Sequence, residues 1–180
     1  MRNSNTPLWK DAQHVVADYL REYGFSIKQE AHLKSGKRID IVAIKKLNKK
    51  ILHTLIEVKD WNKVSRKNES DFCKQLIQYL IEYGIEQTSN LDVEEKKNAL
   101  HKQRDDYYIG ILCLTKDAHF SYRKVSSHFF KKNQYVLGIP QREQFIKKMN
   151  LFVARVDFIP KVFQAMKIPL YKESSITNWL

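Results

Sequence analysis

Three charged residues interrupt two apolar, β-branched runs of this chain. Asp40 lies in Lys37-Arg38-Ile39-Asp40-Ile41-Val42-Ala43-Ile44, and Glu57 and Lys59 lie in Leu55-Ile56-Glu57-Val58-Lys59-Asp60-Trp61. Both runs predict strands. Burying an unpaired charge is costly, so two acids and a lysine inside such strands point to a site. The simplest chemistry they share is a divalent-metal centre with an ammonium beside it.

The intervening segment, Lys45-Lys46-Leu47-Asn48-Lys49-Lys50, is short and polar and predicts a hairpin turn. A turn centred on Asn48-Lys49 sets Asp40 opposite Glu57, about 4.5–5.5 Å apart at Cα. Alternation places Glu57 and Lys59 on one face of their strand. Two carboxylates that close repel each other unless a cation lies between them. A hard ion such as Mg²⁺, held by one or two carboxylates, waters and a substrate phosphate, answers that need. Mn²⁺ is the expected substitute.

The elements that must position these residues follow from periodicity. Thr6-Pro7 predicts a helix start. Trp9, Ala12, Val16, Tyr19, Leu20 and Tyr23 recur at helical spacing, and Gly24 closes the helix. Phe25–Glu30 alternates as a first strand, so a three-stranded meander follows the helix. Ser70–Tyr83 predicts a second helix, with Phe72, Leu76, Tyr79 or Leu80, and Tyr83 as its apolar stripe. Tyr107–Thr115 predicts a buried central strand, parallel to the Glu57 strand by a crossover. A helix over Tyr122–Lys132, a strand over Tyr135–Ile139 and a helix over Gln141–Met149 are expected next. Residues 87–106 are charged and predict a surface insertion. Residues 151–180 predict a C-terminal extension containing a strand-like stretch and a short helix.

Composition narrows the partner. The chain has 180 residues, a size expected to form one domain with its own core, and carries a net charge of +12. With a pI near 9.6, it predicts a polyanionic partner. Lys34, Lys37, Arg38, Lys45, Lys46, Lys49 and Lys50 group around Asp40 in the sequence; Lys63, Arg66 and Lys67 follow Lys59. Arg123, Lys124, Lys131 and Lys132 form another group. A lysine-rich solvated surface is the plain alternative.

Other chemistries lack their residues. Ser35-Gly36-Lys37 misses the earlier glycine and the following Ser/Thr of a phosphate-binding loop. No Gly-x-Ser-x-Gly occurs, and the scattered histidines do not form a zinc pattern. Cys73 and Cys113 sit in apolar contexts and are expected to be reduced core residues. No apolar stretch approaches the roughly 20 residues of a membrane span, and the N-terminus is polar, so a cytoplasmic protein without a signal peptide is expected.

The order helix, three-stranded meander, helix, strand, with Asp40 on the second strand and Glu57-Val58-Lys59 on the third, resembles the PD-(D/E)XK nuclease superfamily over roughly residues 8 to 140. The resemblance implies an α/β restriction-endonuclease-like core and Mg²⁺-dependent cleavage of phosphodiester bonds, most simply in DNA. Asp40 and Glu57 match its metal-binding acids, the Val58 carbonyl its frequent main-chain ligand, and Lys59 the lysine that positions or activates the attacking water. Gln75 and Tyr79 match a Gln-x-x-x-Tyr signature of its exonuclease-like branch, although Tyr79 also fits the core stripe. Position 39 is Ile where the name-giving motif has Pro. The first-helix glutamate of the family corresponds to Gln13, a neutral ligand, and Glu30 is another acid in reach of the strand.

Hydrolysing a phosphodiester needs an activated water and stabilised charge on phosphoryl oxygens, both of which a bound cation supplies. Lys37, Arg38, Lys63, Arg66 and Lys67 are the expected backbone-binding cations. Trp61 is expected to pack rather than stack on a base. A stand-alone enzyme, as a homodimer cutting two strands, fits the small size, with residues 151–180 as its candidate dimer surface; endonuclease and exonuclease action both stay open. A non-catalytic nucleic-acid-binding protein of the same fold and a protein-interaction module are the rival classes.

Overall fold

A computed structural model describes residues 8–61, 63–89, 106–116, 120–133, 149–168 and 170–173. Its elements are α1 (Leu8–Arg21), β1 (Ser26–His32), β2 (Arg38–Leu47), β3 (Lys50–Lys59), α2 (Arg66–Ser89), β4 (Tyr107–Leu114), β5 (Tyr122–Lys124), α3 (Ser127–Asn133), β6 (Met149–Arg155) and α4 (Ile159–Ala165). A 3₁₀ turn, Val156–Phe158, leads from β6 into α4. The strands form one mixed sheet in the order β1-β2-β3-β4-β6-β5. The molecule is therefore α/β, with four α-helices among the described residues.

The hairpin has the expected register. β2 and β3 pair antiparallel from Leu47↔Lys50 up to Ile41↔Ile56. The turn is Asn48-Lys49, and Asn48 takes a left-handed conformation (φ 49°) that its short polar side chain tolerates. β3 then pairs parallel with β4, and α2 is the crossover between them. β4 is apolar along nearly its whole length because helices cover both of its faces.

Two apolar layers result. Val16, Ala17 and Leu20 of α1 and Val162 and Phe163 of α4 join Ile56, Ile111 and Phe152 on one face. Leu76, Ile77 and Leu80 of α2 join Leu55, Leu112, Leu151 and Val153 on the other. Each fully buried Leu, Ile or Phe contributes about 1.5–3 kcal/mol. Gly24, at φ +77°, ends the first helical segment, and its amide donates to the Arg21 carbonyl at 2.9 Å. Gly110 lets α2 approach β4: an added Cβ would lie 2.9 Å from Leu80 Cδ1 and 2.7 Å from Leu151 Cδ1.

Several boundaries differ from expectation. α2 begins at Arg66 because Ser65 caps it, its Oγ accepting from the Asn68 amide at 3.2 Å. The expected Tyr122–Lys132 helix divides. Tyr122–Lys124 pairs with β6, and a cap on Ser126 (Phe129 N–H to Oγ, 3.2 Å) starts α3 afterwards. The strand-like stretch of the expected 151–180 extension is the strand Met149–Arg155, but it lies inside the sheet, between β4 and β5. Leu151, Phe152, Val153 and Ala154 are buried there, so this part of the candidate dimer surface is core. The strand expected over 135–139, the helix expected over Gln141–Met149 except Met149, which begins β6, the start at Thr6-Pro7 and most of the 87–106 insertion lie outside the described residues. No described helix is long and apolar enough to cross a membrane.

Candidate active site

β2 and β3 bring Asp40 and Glu57 to the open end of the hairpin, one step past the last pair, Ile41↔Ile56. Both are almost fully buried, at 5 % and 6 % exposure. The Val58 amide donates to Asp40 Oδ2 at 2.8 Å. Lys59 Nζ donates to Glu57 Oε1 at 2.8 Å. Glu57 Oε2 is buried and has no hydrogen-bond partner.

α2 roofs this end of the sheet. Lys59 Nζ lies over the Phe72 ring, 4.1 Å from its centroid, and Trp61 meets the same ring edge-on at 5.4 Å. Trp61 therefore packs, as expected. One turn on, Gln75 Nε2 donates to the buried Tyr79 hydroxyl. Phe72, Gln75 and Tyr79 share one face of the helix by their spacing.

The electrostatics follow from burial. Desolvation raises the Asp40 carboxyl above its ordinary range, and the Val58 amide, Lys59 and Arg38 only partly offset this. Desolvation and then the Asp40 charge raise Glu57, against the pull of Lys59 and Arg38. Burial raises the Tyr79 phenol, and the nearby Glu57 and Asp40 charges add to it despite the Gln75 hydrogen bond. Two buried acids and one ammonium are short of positive charge.

That shortage is the test of fit for a metal. An orphaned, buried carboxylate oxygen is a costly group to leave unpaired, and hard oxygen donors suit Mg²⁺ or Mn²⁺. Asp40 and Glu57 are the acids available there, held by the Val58 amide and Lys59. Among the described residues no three of His, Cys, Asp and Glu converge on a metal position. Gln13 is buried on α1, the helix packed on the face away from α2, and its amide bonds neither carboxylate. Glu30 lies between the pairs Gln29↔Ile41 and Ala31↔Ile39, level with Asp40, at φ 48°. It pairs with Arg38 at 3.8 Å.

The expected cations divide into two groups. Lys63, Arg66 and Lys67 are exposed, without a carboxylate partner among the described residues. Lys37 is half-buried and ion-paired with Glu82 of α2. Lys45, Lys46, Lys49 and Lys50, grouped with Asp40 by sequence, sit toward the turn end of the hairpin. Lys49 is roughly 26 Å along the strand from Glu57, at 3.3 Å per residue.

Sequence reasoning missed the support around the site. The Val58 N–H holds Asp40, and Phe72 carries Lys59. Asp60 pins the exit of β3, accepting from Thr115 Oγ1 at 2.7 Å and Lys116 Nζ at 2.8 Å. Despite some desolvation, those bonds lower its carboxyl below the ordinary range. A polar residue directly after Lys59 was the one visible signal for it. Cys73 and Cys113 are free and buried, and burial pushes both thiols up to about 12, which makes them poor nucleophiles. Compared with known proteins, the chain matches no family model, no curated sequence and no solved structure at a significant level.

Proposed function

We propose that this chain is a divalent-metal-dependent nuclease with a restriction-endonuclease-like core, acting on DNA. The observation that carries the reading is the buried Asp40–Glu57–Lys59 group, with Glu57 Oε2 unpartnered. Asp40, Glu57 and the Val58 carbonyl would hold Mg²⁺ or Mn²⁺. When bound, such an ion lowers the pKa of a water and stabilises charge on phosphoryl oxygens.

The protein's own groups do the rest. The Val58 N–H fixes Asp40. Lys59, held by Glu57 and Phe72, offers an ammonium that orients water and offsets phosphate charge. The Gln75–Tyr79 pair closes the α2 side. Lys63, Arg66 and Lys67 hold the backbone by salt-sensitive contacts.

The test is cleavage of linear duplex, single strand, flap and four-way junction DNA with Mg²⁺ or Mn²⁺, beside Asp40→Ala and Lys59→Ala. Cleavage by the unaltered protein alone supports the reading; undiminished activity in both variants sinks it. The small acidic donor set, without an acid at Gln13, favours the second reading, a nucleic-acid-binding protein of this fold. It expects salt-sensitive binding with no cleavage of any substrate.

A further inference from the structure

The register of the sheet carries the row of Glu57 beyond the site. Glu57 on β3 faces Leu112 on β4, Leu112 faces Val153 on β6, and Val153 faces Arg123 on β5. In-register neighbours share a face of the sheet. Leu112 and Val153 belong to the layer under α2, and Arg123 reaches Glu69 in the first turn of that helix. Three strand spacings, about 14 Å, separate Arg123 from Glu57.

The chain covers this gap as it runs from Lys59 to Glu69. On the way it presents Lys63, Arg66 and Lys67, all exposed. The Arg123 side chain is itself 48 % exposed at the sheet edge. Two of the turn-end lysines differ in kind, while Lys46 and Lys49 are exposed like the site-end cations but lie beyond reach of the track. Lys45 donates to the Tyr23 carbonyl, and Lys50 lies over the Tyr107 ring at 5.2 Å. Those two have local packing roles; Lys63, Arg66 and Lys67 have no carboxylate partner among the described residues.

We propose that the exposed chain above this buried row is a track for a polynucleotide backbone, leading from the Glu57–Lys59 site past Lys63, Arg66 and Lys67 and over the first turn of α2 to Arg123 at the β5 edge. The proposal rests on the nuclease reading and adds the direction and length of the contact. At about 3.4 Å per nucleotide of a stacked strand, the track spans roughly four nucleotides. Glu69 is the anion that Arg123 holds until a phosphate replaces it.

The test is binding of labelled DNA, single-stranded and duplex, by fluorescence anisotropy in EDTA across a salt series. Arg123→Ala is expected to weaken binding about tenfold and to lower the salt slope by about one phosphate contact. Glu69→Gln is expected to tighten binding roughly two- to fivefold, the scale of an exposed ion pair. That gain should vanish in an Arg123→Ala background. Arg66→Glu with Lys67→Glu should cost far more than Lys46→Glu with Lys49→Glu at the turn. Unchanged binding in Arg123→Ala and Glu69→Gln, or equal losses from the two charge-reversal pairs, overturns the track. If the unaltered protein cuts DNA while Arg123→Ala binds and cuts equally well, only the track fails. A protein that neither binds nor cuts DNA takes the nuclease reading down with it.

Discussion

Two buried polar clusters lie under α2, on the same face of β3, and they are finished differently. Toward the start of β3, His53 is closed on every side. Its Nδ1 is hydrogen-bonded to Tyr83 Oη at 2.9 Å, and its Nε2 lies 3.5 Å from Asp106 Oδ2. Asp106 Oδ1 accepts from the Ile51 amide at 2.9 Å. The ring stacks on Tyr108 at 4.8 Å. Toward the end of β3, Glu57 keeps one oxygen without a partner, and its neighbour Asp40 carries the same sign of charge. A buried polar group that is fully paired ties elements together. One left short of positive charge is the observation on which the proposed metal site rests, and that contrast carries the functional reading.

The comparison can be broken at either cluster. The largest expected effect is on activity. Asp40→Ala or Lys59→Ala should reduce DNA cleavage by ~10³-fold or more, with the circular dichroism spectrum unchanged. Next comes stability at the closed cluster. His53→Ala removes the hydrogen-bond partner of Tyr83 Oη and the ring facing Asp106 Oδ2, and should cost about 3 kcal/mol in urea unfolding, with or without Mg²⁺. A loss below about 0.5 kcal/mol would show that the cluster is not a clamp.

The open cluster should behave in reverse. Glu57→Gln removes a charge that burial and Asp40 disfavour, so the metal-free protein should gain about 1 kcal/mol while losing activity. An equal loss of both would mean that Glu57 is structural. The smallest effect is on pH. Asp40 and Glu57 have raised folded-state values, so the folded protein binds more protons than the unfolded chain above the ordinary carboxylate range. Their contribution is fully present below about pH 4 and is lost as the pH rises through the folded values. In EDTA, Tm should therefore fall between mildly acidic and neutral pH by more in the unaltered protein than in Asp40→Asn with Glu57→Gln. Matching slopes would remove burial as the cause.

The open cluster was legible in the sequence because its signals are local. Charged residues inside apolar runs mark Asp40, Glu57 and Lys59, and Asn48-Lys49 fixes the register that joins them. The closed cluster was not legible. His53 on β3 meets Asp106, the residue just before β4, from far along the chain, and a histidine in an apolar run has no distinctive neighbour pattern. The same limit explains the lysines near the turn. Extended chain carries each residue about 3.3 Å onward, so nearness in sequence to Asp40 became distance in space. It also explains β6, whose place between β4 and β5 depends on pairing partners that periodicity does not name.

The missing side chain at Gly110 has a mechanical consequence. α2 is a 24-residue beam that contributes Phe72, Gln75 and Tyr79 to one cluster and Tyr83 to the other. Leu80 rests on Gly110 between them, so the bare backbone there acts as a fulcrum. A methyl group at that point is a shim under the beam. It would press on Leu80 Cδ1 of the helix and Leu151 Cδ1 of β6, so its strain would enter beside Leu55, two residues along β3 from Glu57, without touching Asp40, Glu57 or Lys59.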